Sequence, residues 1–133
     1  MTYKDRYKDI LYTQEDLKKR LGQSYCIENN IIKEVNIVVT GHFGNCVSLD
    51  MLCYGVCPIP LYNSTGNIGY ILRALIDIFD KEQDDSVKIK ELNGTPIRIV
   101  FDNKNVHGGK SVAIGHFMKD RFVFIEDLMK LKE

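Results

Sequence analysis

This chain has little of what marks the more specialised classes of protein. It carries no excess of one charge, since 18 Lys and Arg stand against 18 Asp and Glu. That argues against a general DNA or RNA binder, whose footprint is a basic excess. No apolar run approaches the roughly 20 residues that a membrane helix needs. Residues 1–10 are polar and charged where an export signal carries an apolar core. Cysteine is sparse, with Cys26, Cys46, Cys53 and Cys57, and without an export signal these read as free thiols in a reducing cytosol. None forms a Cys-x-x-Cys pair, so together with His42 they lack the spacing of a structural zinc site. No metal and no cofactor are expected. The Gly-x-x-x-x-Gly-Lys pattern of a nucleoside triphosphatase is missing. There is no internal repeat and no low-complexity stretch.

What remains is an ordinary globular composition. The chain has 133 residues, 44% hydrophobic and 27% charged, enough for one domain that buries about two-thirds of its unfolded surface. Residues 1–30 are polar with one helical signal. Thr13 can cap, Glu15 and Asp16 fill the first turn, Lys18 to Arg20 the last, and Gly22 stops the helix. Its apolar face is only Leu17 and Leu21, which predicts an appended helix that packs weakly or touches a second subunit. Residues 33–41 and 46–54 alternate with period two around a turn at His42 to Asn45. Pro58 and Pro60 make residues 55–63 an irregular edge or loop. Ile68, Ile71, Leu72, Leu75, Ile78 and Phe79 form a helical stripe, with Tyr70, Arg73 and Asp77 opposite and Arg73 and Asp77 spaced to pair on the surface. Residues 80–88 read as a charged loop and residues 92–96 as a turn. A second pair of strands spans Ile97 to Phe101 and Val112 to Ile114 across a mobile loop at 102–110. Ile125, Leu128 and Met129 suggest a short last helix. The expected fold is α+β: an antiparallel sheet from two hairpins, one long amphipathic helix and short terminal helices. Residues 1–30 form the helical extension and 31–133 the single ligand-binding domain.

The densest chemistry is in residues 113–122, Ala-Ile-Gly-His-Phe-Met-Lys-Asp-Arg-Phe. His116, Lys119 and Asp120 could act as acid and base, but no nucleophile or metal set accompanies them. The cations are better read as binding groups. Arg98, between Ile97 and Ile99, projects from the opposite face of its strand and can fork onto phosphate oxygens. Tyr70 and Phe122 are rings on which a base could stack. Residues 63–69, Asn-Ser-Thr-Gly-Asn-Ile-Gly, open a helix whose N–H groups could receive an anion. The candidate ligand-binding residues are Tyr70, Arg73, Arg98, His116, Lys119, Arg121 and Phe122.

The order of the early hairpin, residues 66–75 (Gly-Asn-Ile-Gly-Tyr-Ile-Leu-Arg-Ala-Leu), residues 92–98 (Leu-Asn-Gly-Thr-Pro-Ile-Arg) and residues 113–122 resembles a family of small phage proteins that includes the anti-Thoeris sponges. The resemblance covers residues 33–128, and residues 114–120 carry its most specific motif. It implies an oligomeric, non-catalytic protein in the cytoplasm of a bacterial host. Such a protein binds a cyclic ADP-ribose-like or other small signalling nucleotide and withholds it from a defence effector. It implies no membrane and no genomic nucleic acid as partner. The chain departs from the family in having residues 53–62 where relatives carry a Gly-rich run, Phe122 where they carry Trp, and residues 1–30 without counterpart. Two other readings are a protein–protein inhibitor of a host defence protein, through residues 1–30 and 53–62, and a small phosphodiesterase using His116 and Asp120.

Overall fold

One strand of 15 residues runs through the middle of this molecule, and the rest is arranged along its two halves. The computed structural model describes residues 7–22, 24–40, 46–63, 66–81, 89–103 and 109–131. The strands are β1 (Leu11–Tyr12), β2 (Cys26–Thr40), β3 (Cys46–Cys53), β4 (Ile59–Leu61), β5 (Pro96–Phe101), β6 (Ser111–His116) and β7 (Phe122–Phe124). The helices are α1 (Gln14–Leu21), α2 (Ile68–Ile78) and α3 (Ile125–Met129), with a 3-10 turn at Ile89–Leu92. All seven strands join one antiparallel sheet in the order β1-β7-β6-β5-β2-β3-β4.

This corrects the expected architecture. In place of two hairpins beside one long amphipathic helix there is a single seven-stranded sheet with small helices, none of those described exceeding the 11 residues of α2. The C-terminal half of α2 is buried all round, Asp77 included, so Asp77 is not the surface residue its position in the pattern suggests. The strand expected from residue 33 begins at Cys26, and position 30 lies inside β2 rather than at a boundary. The first half of β2, residues 26–31, pairs with β5, and the second half, from Ile32, pairs with β3. An irregularity between Ile32 and Glu34 separates the halves, and an extra residue at such a point bends a strand and raises its twist. The Ile32 N–H donates to the Thr95 carbonyl at 2.8 Å, and its own carbonyl accepts from the Gly94 N–H at 2.7 Å. Gly94 has φ 81°, which suits glycine. The turn expected at His42 to Asn45 lies outside the described residues, as do most of the loops expected at 80–88 and 102–110.

The sheet buries both faces in its β5-β6-β7 part. One face meets α2 and α3: Ile97, Ile99, Ile114 and Val123 share a core with Ile32, Leu49, Met51, Leu61, Leu75 and Leu128. The other face carries Val100, Ala113, Phe122 and Phe124, which pack on Leu17 of α1. The alternation follows from the period of two.

The caps of α1 match the residues that signal them. Thr13 Oγ1 accepts from the Asp16 N–H at 3.2 Å, Asp16 Oδ2 accepts from the Thr13 N–H at 3.1 Å, and Gly22 closes the far end at φ 74°. Yet α1 is no loosely held appendage. Leu17 is fully buried and is the wedge on which the second core is built. Leu17→Ala is therefore expected to cost about 2–5 kcal/mol, the usual range for such a truncation. Urea unfolding checks it, and a loss within about 0.5 kcal/mol, typical of surface positions, would show α1 to be peripheral.

Candidate functional site

Three of the expected ligand-binding residues converge on a side chain that the sequence does not flag. Asp80 follows the last turn of α2 with φ 54°, the left-handed conformation common just past a helix end and tolerated by Asp. Its carboxylate takes the Lys119 ammonium and the Arg121 guanidinium, the latter at 3.0 Å, and His116 Nε2 lies 3.2 Å away. Arg121 also donates to the Ile78 carbonyl at 2.8 Å, so one cation satisfies an otherwise open C-terminal carbonyl and favours the negative end of the helix. Burial by itself would raise the Asp80 carboxyl, but the hydrogen bonds and charges of Lys119 and Arg121 outweigh it and hold it down at about 2.

His116 is committed on both nitrogens. Nδ1 accepts the backbone N–H groups of Met118 and Lys119, each at 3.0 Å. That places the proton of the neutral ring on Nε2, facing Asp80. Burial is the main cause of a lowered imidazole pKa; Asp80 opposes it, and the charges of Arg121, Lys119 and Arg98 add to it. Asp120, the other proposed acid–base residue, accepts the Gln14 N–H at 2.6 Å. Turn 116–121 is thus tied to the end of α2 by Asp80 and to the start of α1 by Asp120.

Arg98 fixes the same turn from behind. It pairs with Gly115 across β5 and β6. Its Nε donates to the His116 carbonyl at 2.8 Å and its terminal nitrogen to the Lys119 carbonyl at 2.6 Å. The guanidinium lies over the Phe122 ring at 4.4 Å, a favourable cation–π distance. Phe122 is 0% exposed; the ring expected to stack on a base is instead a core ring under Arg98. Gly115 makes room for it, since a Cβ there would sit 2.4 Å from Phe122 Cδ1. Tyr70 and Arg73 lie elsewhere, on α2. Tyr70 is eight residues before Ile78, about 12 Å along the helix. Five of the seven expected residues, Arg98, His116, Lys119, Arg121 and Phe122, therefore belong to one network around the turn, and the other two lie on α2. In the expected anion loop, Ser64 and Thr65 lie outside the described residues, and Asn67 Oδ1 already accepts the Gly69 N–H at 2.9 Å.

A concavity lies beside α3. It is a groove of about 1020 Å³ between the segment 55–62, the ends of β5 and β6, and α3. Arg20 and Lys110 provide its cations, Asp102 and Glu126 its acids, and Tyr62, Phe101 and Phe124 its rings. Arg20 bridges to Glu126 and Asp127, the latter at 3.1 Å, and its guanidinium stacks 3.8 Å from the Phe124 centroid. Sequence reasoning missed this groove because its residues come from five separate segments. The available signal was the two prolines beside Tyr62, which keep that segment at the sheet edge. Cys57 lines the groove and is exposed, whereas burial and the nearby Glu28 charge push the Cys53 thiol up to about 11. Cys53 therefore packs as a small apolar group. Among the described residues no three His, Cys, Asp or Glu side chains are grouped to hold a metal, and no helix is long and apolar enough to cross a membrane. Comparison with protein-family models, curated proteins and solved structures finds no match to this chain.

Two outcomes follow from the network around the turn. Because the folded state lowers the His116 pKa, the unfolded chain takes up the proton first as pH falls below the ordinary value of 6.5. Stability is expected to be full above that value and to drop below it, levelling once the folded ring protonates. Asp80 adds a second loss between its ordinary 3.8 and about 2. Urea midpoints taken across pH for the wild type and His116→Asn test the first step, which the variant should lack; parallel curves would refute it. Gly115→Ala is expected to cost about 1–3 kcal/mol by overpacking, with partial recovery in the Gly115→Ala/Phe122→Leu double variant. Equal stability of Gly115→Ala and wild type would contradict the close approach.

Proposed function

We propose that this chain is a non-catalytic binding protein that takes up a small anionic ligand of the nucleotide class, and that the ligand sits in the Arg20–Lys110 groove rather than at turn 116–121. The observation that carries this reading is the groove itself. Its volume of about 1020 Å³ is at the upper end for small-molecule sites, roughly 300–1,000 Å³. Lys110, and Arg20 beside its Glu126 and Asp127 partners, offer charge to phosphate oxygens, and the half-exposed Tyr62 offers a face to a flat ring. The internal network supports a binding role over a catalytic one: His116 and Asp120 are spent on backbone groups and on Asp80. The resemblance of residues 33–128 to the anti-Thoeris sponges makes a nucleotide immune signal, cyclic ADP-ribose-like or a cyclic oligonucleotide, the ligand of choice. The protein would be a phage or prophage product that sequesters this signal in the host cytoplasm.

A second reading, inhibition of a host defence protein by direct contact, is favoured by the exposure of Tyr54 and Tyr62 at both ends of the segment 54–62. Titration with candidate cyclic nucleotides, followed by heating and chromatography, separates the two. A sequestering protein depletes the ligand and returns it intact. Lys110→Glu and Tyr62→Ala are each expected to weaken binding about tenfold or more, equivalent to about 1.4 kcal/mol. No depletion of any cyclic nucleotide would overturn the proposal, and chemically altered ligand would restore an enzymatic reading.

A further inference from the structure

Among the described residues, the second half of β2 has a strand neighbour on one side only. β5 leaves it after Ile31, and among the described residues no strand pairs with the other edge of residues 34–40. Every second residue there directs its N–H and C=O at that edge, a row that another strand can complete. Natural edges are usually blunted by charge, proline or a bulge. Residues 35–40, Val-Asn-Ile-Val-Val-Thr, contain no charge and no proline, and the irregularity of β2 precedes them. Val35, Ile37 and Val39 share the face opposite Met51, Leu49 and Val47. Val35 is buried, but Ile37 is 51% and Val39 59% exposed. The apolar face of the core thus runs on into solvent along an open hydrogen-bonding edge.

We infer that this edge pairs with the same edge of a second copy of the chain, antiparallel, with Ile37 opposite Ile37. The occupant follows from self-complementarity. About a local twofold at Ile37, Val35 meets Val39 of the copy and Asn36 meets Val38, so apolar groups fall on apolar groups along one face. Glu34 meets Thr40, and no like charges oppose one another. Lys33 and Glu34 stay at the ends of the paired stretch. An isologous pairing of this kind closes on itself, so it protects the edge without propagating into a filament. A partner protein would need its own uncharged strand of matching length, whereas a second copy carries one by construction. The inference uses nothing in the groove and stands apart from the ligand reading.

Sedimentation of the full chain over a wide concentration range is the first test. The expected species is twice the 15.3 kDa chain, reverting to 15.3 kDa in Ile37→Lys. Circular dichroism and an unchanged unfolding midpoint of the monomer show that this half-exposed position tolerates lysine; Val39→Lys serves if it does not. Register is read by cross-linking. Opposed residues of an antiparallel pair lie about 4.5–5.5 Å apart at Cα, within the disulfide range of about 4.4–6.8 Å. In a Cys57→Ser background, Ile37→Cys should become a covalent dimer on mild oxidation. Asn36→Cys should not, because its counterpart is displaced by two residues, about 7–8 Å. A 15.3 kDa species at every concentration overturns the inference. So does a dimer that survives both lysine variants, or a dimer in which Ile37→Cys fails to cross-link.

Discussion

The Asp80 carboxylate is the contact on which the arrangement of the helices depends. It stands at the end of α2 and receives Lys119 and Arg121 from the turn between β6 and β7, with His116 beside it. A lone carboxylate there would be an awkward group, partly buried, at the negative end of a helix and in a left-handed backbone conformation. The Lys119 and Arg121 side chains offset that cost. The carboxyl stays ionised down to about 2 because those partners outweigh its desolvation. The same turn then reaches α1 through Asp120 and is braced by Arg98 over Phe122. Polar groups of this kind say little about net stability. They do specify which end of α2 faces which turn, a choice that apolar burial alone leaves open.

That network also explains what could be read from the residues and what could not. The ends of α1 were legible, because a capping box and a terminal glycine act within a few residues of each other. The alternation at 33–40 and 46–53 was legible for the same local reason. The first six residues of β2 were not: Cys-Ile-Glu-Asn-Asn-Ile shows no clean alternation, and it is strand because β5 lies beside it. β1, β4 and β7, of two or three residues each, are too short for any periodic signal and exist by pairing alone. Of the candidate site, Arg98 and the polar residues of 116–121 do come together in space. Asp80 gives these basic groups a partner within the chain. A cluster of three basic groups in sequence looks like a receptor for an external anion, but here the chain provides an anion from 39 residues away. Pattern reading sees the cations and not their distant partner.

The two concentrations of charge then divide the work. At turn 116–121 the cations are neutralised by the protein's own carboxylate and carbonyls, and the aromatic ring beneath them has no exposed face. At the groove one ring, Tyr62, reaches solvent, with Lys110 at the same border, while Phe101 and Phe124 are buried. Recognition by charge and stacking needs both on the same surface, and the pair that meets this at the groove is Lys110 with Tyr62. Arg20 is the intermediate case. It is held by Glu126 and Asp127 and stacked on Phe124, so an anion in the groove would meet a guanidinium already fixed in direction, with less side-chain entropy left to lose on binding.

The curvature of β2 links these parts. On either side of its irregularity at residues 32–34, the first half pairs with β5 and the second half with β3, which carries β4. β4 is carried round toward α3, which is how Ile59 and Pro60 come to border a groove that also contains Phe124 and Met129. The same bend leaves residues 34–40 beyond the reach of β5, with no described strand on that edge and with Ile37 and Val39 exposed. Groove and open edge are therefore two consequences of one strand that is too long for a single partner. A shorter β2 ending near Ile32 would remove the edge, but it would also take away β3 as the neighbour that positions β4. The second half of β2 thus serves as the strand on which β3, and through it the β4 wall of the groove, is registered.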